Sequence, residues 1–302
     1  MMIGDSLSRY MYLTLAHFLS TGAWELDKTL KPVPPGSICH EKSFIWNRST
    51  YNTAWQIYYR ESNSRIRGHG NEVCDCYRVD CCSDDASAMT ENRYTHLDGG
   101  GRLTFLNQLA NVQWRLHGHI PPAATWNWSV LPSLLSCAPG ECSSPSKWAE
   151  NLTTFARSML PMANVTDAVL NWGHHWSPDQ APAETDAIFA GVASAMGKGG
   201  KGAWWRTTTV PRRGNMTLRG AGKEPRPLSQ PTAVASARRN GLHVLDFLEV
   251  TSQLRALPPN QYSAAFASRF DDVHYSCSVY RELNYILLNA ICALDRCEDC
   301  TV

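Results

Sequence analysis

Apolar residues recur at helical spacing close to the start of the chain. This spacing predicts a helix that begins just after Ser6, on a turn formed by Gly4 and Asp5. The apolar face of this helix is formed by Leu7, Met11, Leu15 and Phe18. Gly22 follows the run, and glycine readily adopts the left-handed conformation that closes a helix. The chain therefore opens with an amphipathic helix whose first turn carries a serine.

Further along the chain, strand-like apolar runs alternate with helical ones. The predicted strands lie at 112–116, 167–170, 202–208 and 243–250. The predicted helices lie at 147–160, 183–196 and 279–294. This alternation predicts an α/β fold in which helices cover both faces of a parallel sheet. Ligands of such sheets bind at the carboxyl ends of the strands.

Two stretches break the alternation. Residues 30–100 are rich in Cys, Asn and Tyr, and we interpret them as an irregular insertion. Residues 211–241 are basic and rich in Pro and Gly, and we interpret them as a mobile surface loop. The 302 residues suit a single domain, 1–302, with the Cys-rich insertion inside it.

The charge and the apolar runs limit the classes of partner. A net charge of +1 gives no support to nucleic-acid binding. No apolar run approaches the ~18 residues that a membrane-spanning helix needs. We therefore expect no nucleic-acid partner, and contact with a membrane only through an N-terminal anchor that this chain has lost.

Eleven cysteines are many for a cytosolic enzyme, and most of them cluster. Disulfides formed in the secretory pathway are the favoured interpretation. Zinc is the competing one, because Cys297 and Cys300 have ligand spacing, but the other cysteine spacings match no standard zinc finger. Sequons for N-glycosylation also fit the secretory route, and they lie at Asn47, Asn127, Asn151, Asn164 and Asn215.

Ser6, Asp271 and His274 supply the residue types of a nucleophilic site. A serine hydroxyl is a poor nucleophile until a base removes its proton, and a carboxylate fixes the tautomer of that base. Asp271 precedes His274 by three residues, which lets it fold back and orient the ring. The Asn171 amide and the Ser6 backbone N–H are candidate donors to the oxyanion that forms during attack.

These residues also have structural alternatives. Ser6 or Asp5 would be an ordinary helix cap, and Asn171 would make a turn at the end of its strand. His274 would be a surface histidine. Because these residues occur together with the ordered motifs described below, we favour catalysis over these structural roles.

Segments of the chain resemble, in order, blocks of the SGNH or GDSL hydrolases. The resemblance is to the branch of PC-esterases and plant trichome-birefringence-like polysaccharide O-acetyltransferases. The segments are 3–9 (IGDSLSR), 169–176 (VLNWGHHW), 203–209 (AWWRTTT), and 244–251 (VLDFLEVT) followed by 271–274 (DDVH). A GDSL block alone is weak, but the order GDSLSR, NxGHxW and DxxH in one chain is more specific.

The resemblance implies a three-layer, flavodoxin-like parallel sheet and a set of residue roles. Ser6 would be the nucleophile, His274 the base, Asp271 its partner and Asn171 an oxyanion donor. The family also uses a glycine N–H at the oxyanion, and Gly118, after a strand-like run, is our candidate for it.

Three further residues are candidate substrate contacts. Arg206 follows a predicted strand and would bind a carboxylate or carbohydrate group, or pair with a neighbouring acid. His174 is interpreted as a core or substrate-lining residue; a metal ligand is the weaker alternative, since no helix-spaced His-Glu motif accompanies it. Trp176 would stack on a sugar or pack inside the protein. We expect no metal and no cofactor.

The start of the chain departs from the family pattern. In this fold the nucleophile follows a central strand of about five or six residues. Here only Met1, Met2 and Ile3 precede Gly4. We therefore expect a chain truncated at its N-terminus, with the central strand short or absent and any signal peptide lost.

The sequence thus predicts an enzyme that transfers or hydrolyses an acyl group through an acyl-serine intermediate. The resemblance implies acetyl as the group, a polysaccharide or glycan as the substrate, a separate acyl donor, and the Golgi lumen or the extracellular space as the location. Two alternatives stay open: a secreted carbohydrate or lipid esterase, and a non-catalytic glycan-binding protein of the secretory pathway.

Overall fold

The computed structural model describes residues 1–22, 24, 72–78, 89–97, 100–108, 115–118, 148–172, 182–197, 202–211, 230–266 and 273–296. The strands in these ranges are β1 Met2–Gly4, β2 Glu72–Arg78, β3 Met89–His96, β4 Arg102–Asn107, β5 Arg115–Gly118, β6 Trp148–Asn151, β7 Asp167–Leu170, β8 Gly202–Arg206 and β9 His243–Leu245. The main sheet has seven strands in the order β2-β3-β4-β1-β7-β8-β9, and β5 and β6 form a separate pair.

Helices occupy much of the remaining described chain. They are α1 Ser6–Thr21, α2 Pro182–Met196, α3 Pro231–Arg239, α4 Phe247–Ser252, α5 Pro259–Ala264 and α6 Cys277–Ile291. Shorter helical turns lie at Leu152–Thr154, Phe155–Met159, Pro161–Ala163, Gln253–Ala256 and Cys292–Arg296. Among the described residues, no helix is long and apolar enough to cross a membrane.

The main sheet is buried between two layers of helices. Successive side chains of a strand point to opposite faces, and the neighbours Met2 and Ile3 accordingly enter two different hydrophobic clusters. The cluster around Met2 contains residues of α1 and α6. The cluster around Ile3 contains residues of α2, α3 and the helical turns 152–163. The α/β expectation, with helices on both faces of the sheet, is confirmed.

The sheet is mixed: parallel strands form its larger part, as expected, and antiparallel pairing at one edge departs from the expected parallel sheet. β4, β1, β7, β8 and β9 run parallel, whereas β2 pairs with β3, and β3 with β4, in antiparallel register. A short turn joins β3 to β4, in which the Leu97 N–H donates to the Gly101 carbonyl at 2.8 Å. A connection this short can return the chain only antiparallel, since parallel neighbours need a long crossover.

The two stretches that we expected to be irregular both contain regular structure. Residues 72–78 and 89–96, inside the expected insertion at 30–100, form β2 and β3. Residues 231–239, inside the expected loop at 211–241, form α3. Pro231 occupies its first turn, where proline fits because that N–H has no partner within a helix. Residues 212–229 lie outside the described chain.

Most of the predicted elements are confirmed, and two change type part-way. The segment 147–160 was expected to be helical throughout, but residues 148–151 form β6. A helical turn starts only at Leu152, after Asn151 accepts a hydrogen bond from Thr153 N at 2.8 Å. The strand expected at 243–250 ends at Leu245, because the Asp246 carboxylate caps α4 by accepting from Glu249 N at 3.2 Å.

β1 is short but central. Its three residues, Met2–Gly4, lie between β4 and β7 and are buried. The next residues enter α1, which ends at Gly22 with a left-handed φ of 70°, as the sequence predicted. The fold therefore places the turn between β1 and α1 in the middle of the sheet, at the carboxyl ends of its parallel strands.

Candidate active site

Ser6 and His274 lie within hydrogen-bonding distance although 268 residues separate them in the chain. Ser6 Oγ is 2.8 Å from His274 Nε2. Ser6 is the first residue of α1 and is partly exposed, whereas His274 is buried. A neutral imidazole with its proton on Nδ1 would accept the serine proton at Nε2. The structure therefore brings the predicted nucleophile and base together.

The turn that carries Ser6 requires a glycine before it. A Cβ atom on Gly4 would lie 2.2 Å from Ser8 Oγ and 2.6 Å from the backbone oxygen of Asn171. Asp5 then caps α1, with its carboxylate accepting a hydrogen bond from Leu7 N at 3.0 Å. The GDS sequence thus lets β7 and α1 approach closely and starts the helix at the serine.

The segment that carries His274 is fixed by its neighbours. Ser276 N donates to the Ala265 carbonyl at 2.7 Å, and Tyr275 pairs with Phe266 in an antiparallel bridge. The Tyr275 hydroxyl donates to the Val210 carbonyl, after β8. Burial raises the pKa of Tyr275, so the hydroxyl keeps the proton that it donates. His274 therefore sits on a backbone that is tied to the sheet.

Asn171 directly follows β7 and lies beside Gly4. Its backbone N–H continues the hydrogen-bond ladder between β7 and β1. Its backbone N–H donates to the Ile3 carbonyl at 2.9 Å. Its side-chain Nδ2 donates to the Arg206 carbonyl at 2.9 Å and to Thr208 Oγ1 at 3.3 Å. Because these two acceptors engage both amide protons, the side chain holds β7 against β8 in this structure. Its role as an oxyanion donor stays a prediction.

Arg206 faces inward, so our interpretation of it as a substrate contact was wrong. Only 1% of its surface is exposed. Its guanidinium donates to Asn171 Oδ1 at 2.5 Å and to Ser8 Oγ at 3.0 Å, and it approaches Met11 Sδ at 3.4 Å. Burial lowers the pKa of Arg206 to about 10, which leaves it charged at neutral pH, and Asp5 supplies a favourable negative charge.

Gly118 does not lie on a strand next to β1. It belongs to β5, where it pairs with Trp148 in the separate two-stranded sheet. The neighbour of β1 on that side is β4, and the residue after it, Gln108, donates its N–H to the Gly4 carbonyl at 2.7 Å. Our assignment of Gly118 as the oxyanion glycine had relied on the strand-like run before it, whose described end, residues 115–116, belongs to this separate sheet.

The other candidate residues cannot be placed. Asp271, His174 and Trp176 lie outside the described residues. The orientation of His274 by Asp271 therefore stays a prediction, as do the substrate contacts. In the part of the chain that the structure describes, no group of three His, Cys, Asp or Glu side chains is arranged to hold a metal ion.

Sequence reasoning missed Tyr10, whose ring packs against His274 with centroids 5.1 Å apart. The signal was available, since residues four apart share a face of a helix and Tyr10 follows Ser6 by that interval. It also missed that Ser8 would anchor Arg206. No pattern in this sequence paired Ser8 with Arg206, which are almost two hundred positions apart.

Comparisons with protein-family models, curated proteins and solved structures gave no match to this chain. The site itself has a defined geometry. That geometry is a partly exposed serine at the start of a helix, hydrogen-bonded to a buried histidine, at the carboxyl ends of parallel strands. A hydroxyl held in this way can attack an electrophilic carbonyl while the imidazole takes its proton.

Proposed function

We propose that this chain is a serine-dependent acyltransferase or esterase. The observation that carries the proposal is the 2.8 Å separation of Ser6 Oγ and His274 Nε2. A helix cap at the start of α1 needs no histidine, and Asp5 already serves as that cap. A histidine brought from the far end of the chain to the serine is what nucleophile activation requires.

The order of the parallel strands supports an arrangement like that of the SGNH hydrolases. Ser6 follows β1, Asn171 follows the adjacent β7, and the His274 segment comes late in the chain yet reaches the same edge of the sheet. This is where ligands of open α/β sheets bind. The three-layer fold therefore supports the proposal in addition to the resemblance of the sequence motifs.

In the proposed reaction, Ser6 Oγ attacks the carbonyl carbon of an ester as its proton passes to His274 Nε2. The tetrahedral intermediate collapses, the bond to the leaving alcohol breaks, and His274 returns the proton to that alcohol. Water or a sugar hydroxyl then attacks the acyl-serine, again with His274 as the base. The Ser6 backbone N–H lies in the first turn of α1, at the positive end of the helix dipole. It is therefore suited to donate a hydrogen bond to the oxyanion.

The acyl group and the compartment rest on the sequence motifs. Acetyl is proposed as the acyl group, and a polysaccharide or glycan as substrate or acceptor. Cys277 and Cys292 are disulfide-bonded, which supports a secretory location, in the Golgi lumen or outside the cell. They lie at either end of α6, about 22 Å apart at 1.5 Å per residue, so they cannot bond to each other. Cys277 and Cys292 are therefore each bonded to another cysteine.

The test is acetyl release from a chromogenic acetate ester by the purified chain. We expect Ser6→Ala and His274→Ala each to abolish release, while Ser20→Ala, an exposed serine on the same helix, has no effect. Hydrolysis that survives Ser6→Ala would overturn the proposal. Addition of oligosaccharide acceptors then separates the two activities, since a transferase forms an acetylated sugar and an esterase releases acetate alone.

The glycan-binding alternative has its own outcome in this experiment. A chain that binds oligosaccharides but neither releases acetate nor reacts with a serine-directed phosphonate would be a binding protein. The engaged amide of Asn171 is the feature that favours this alternative, because it leaves fewer donors for an oxyanion.

A further inference from the structure

We propose that Tyr10 is a positioning residue that holds the His274 imidazole against Ser6. The inference rests on the function proposed above and adds a residue to its machinery. The Tyr10 and His274 rings lie 5.1 Å apart between centroids, at an angle of 65°. This is the edge-to-face arrangement that aromatic pairs prefer. Tyr10 would therefore act through His274 and not by touching the substrate.

The first turns of α1 contact the imidazole at two places. Ser6 and Tyr10 are one helical turn apart, on the same face of α1. Ser6 Oγ meets Nε2 of His274, and the Tyr10 ring packs against the imidazole. The helix α1 thus supplies both the Ser6 hydroxyl, which His274 would deprotonate, and the Tyr10 ring, which limits rotation of the imidazole.

A second tyrosine supports the first. Tyr280, on α6, stacks on Tyr10 with centroids 5.5 Å apart and an angle of 24°. The Tyr280 hydroxyl accepts a hydrogen bond from Tyr275 N at 3.3 Å, directly after His274 in the chain. Tyr10, Tyr280 and His274 are all buried. The tyrosine pair therefore connects the imidazole, its backbone and the nucleophile helix.

Restricting the rotation of the His274 imidazole should raise the rate of reaction at Ser6. An imidazole can rotate about two side-chain bonds, and a rotation that moves Nε2 away from Ser6 Oγ removes the base from the reaction. Losing one aromatic pair of this geometry should lower the population of the productive orientation about threefold to tenfold. The effect should appear in the acylation rate and not in substrate affinity.

The experiment measures the rate at which a fluorophosphonate phosphonylates Ser6, divided by the concentration of folded protein. In this reaction the Oγ–P bond forms, the P–F bond breaks and fluoride leaves, while the hydroxyl proton passes to His274. We expect Tyr10→Leu to react about threefold to tenfold more slowly. Tyr10→Phe keeps the ring and should stay within about twofold of the wild type.

A matched control comes from the same helix. Tyr12 is buried like Tyr10, but it packs on Phe105 and hydrogen-bonds to Thr95, away from the dyad. Tyr12→Leu should lower stability and leave the rate of Ser6 phosphonylation per folded molecule unchanged. An equal loss of rate in both leucine variants would mean that Tyr10 is merely a core residue, and the proposal would be overturned.

A double-mutant cycle tests whether Tyr10 acts through His274. If it does, Tyr10→Leu should cause no further loss of the residual rate of Ser6 phosphonylation that remains in a His274→Ala background. If the two losses multiply, Tyr10 acts independently of the base and the inference is wrong.

Failure of the inference can be told from failure of the proposed function by NMR of ¹⁵N-histidine-labelled protein. We expect the ring resonances of His274 to shift in Tyr10→Leu and not in Tyr12→Leu, whether or not Ser6 is reactive. A wild-type Ser6 that does not react with the phosphonate would refute the proposed function. His274 resonances that are the same in Tyr10→Leu as in the wild type would refute the role of Tyr10.

Discussion

The guanidinium of Arg206 donates a 2.5 Å hydrogen bond to Oδ1 of Asn171, which ties together the ends of two neighbouring parallel strands, beside the turn that carries Ser6. The same guanidinium reaches Ser8 on α1. A buried cation thus joins β7, β8 and α1, with Asp5 as its nearby negative charge. The network therefore supports the start of α1, where Ser6 lies.

Replacing this cation should destabilise the protein strongly. Arg206→Met removes the charge but keeps most of the volume, so Asn171 Oδ1 loses its donor and Asp5 loses its favourable charge. Breaking a buried charged network typically costs about 3 kcal/mol or more of unfolding free energy. Arg238→Met, on the exposed face of α3, should change it by less than about 0.5 kcal/mol. Urea denaturation of the two variants measures the difference, and equal effects would contradict the structural role of Arg206.

Gly4→Ala should also destabilise the fold, for a steric reason. The new Cβ would meet Ser8 Oγ at 2.2 Å and the backbone oxygen of Asn171 at 2.6 Å, and a backbone atom cannot rotate away. We expect a loss of about 1–3 kcal/mol and a displaced Ser6. Gly101→Ala is the control, because its Cβ would have its nearest neighbours at 3.6 Å. Thermal unfolding of both variants checks this, and a Gly4→Ala variant as stable as Gly101→Ala would count against the close approach of β7 and α1.

Cys277 and Cys292 should be found in two different disulfides. Peptide mapping by mass spectrometry without reduction should recover each of them linked to another cysteine and never to each other. Removing one bridge by Cys277→Ser should lower the unfolding free energy by about 2–4 kcal/mol. Recovery of both residues as free thiols from protein secreted by a eukaryotic host would contradict this prediction.

The stability of the 302-residue chain with a free amine at Met1 should rise between pH 6 and pH 8. This amine donates a 2.6 Å hydrogen bond to the Asp167 carbonyl, and burial lowers its pKa from 8.0 to about 6. Between these values the unfolded chain binds more protons than the folded one, so unfolding free energy increases with pH. Two pKa units correspond to about 2–3 kcal/mol.

Urea denaturation at pH 5.5 and pH 8.5 measures this dependence. A chain extended by a few residues before Met1 has no amine at this position, so the same rise with pH should disappear from it. An unchanged pH dependence in the extended chain would assign the effect to other groups.

The sequence predicted the local features of this protein well, because short-range patterns encode them. Helical spacing of apolar residues and Gly22 defined α1, and the buried run at 167–170 defined β7. The residue types also singled out Ser6 and His274 as the candidate nucleophile and base. Where local signals conflicted, the element type was missed, as at 243–250, where a capping Asp246 turns the chain from strand to helix.

What only the tertiary structure decided is which residues meet. Strand pairing made the sheet mixed and put Gly118 in a different sheet from β1, the strand that leads to Ser6. Burial turned Arg206 from an expected substrate contact into an internal tie between strands. A side chain's neighbours depend on how distant segments pack, and the spacing of residues along one chain does not give the distances between those segments. The sequence therefore determined the candidate nucleophile and base by their chemistry, and the packing of α1 against the sheet and α6 decided that they lie 2.8 Å apart.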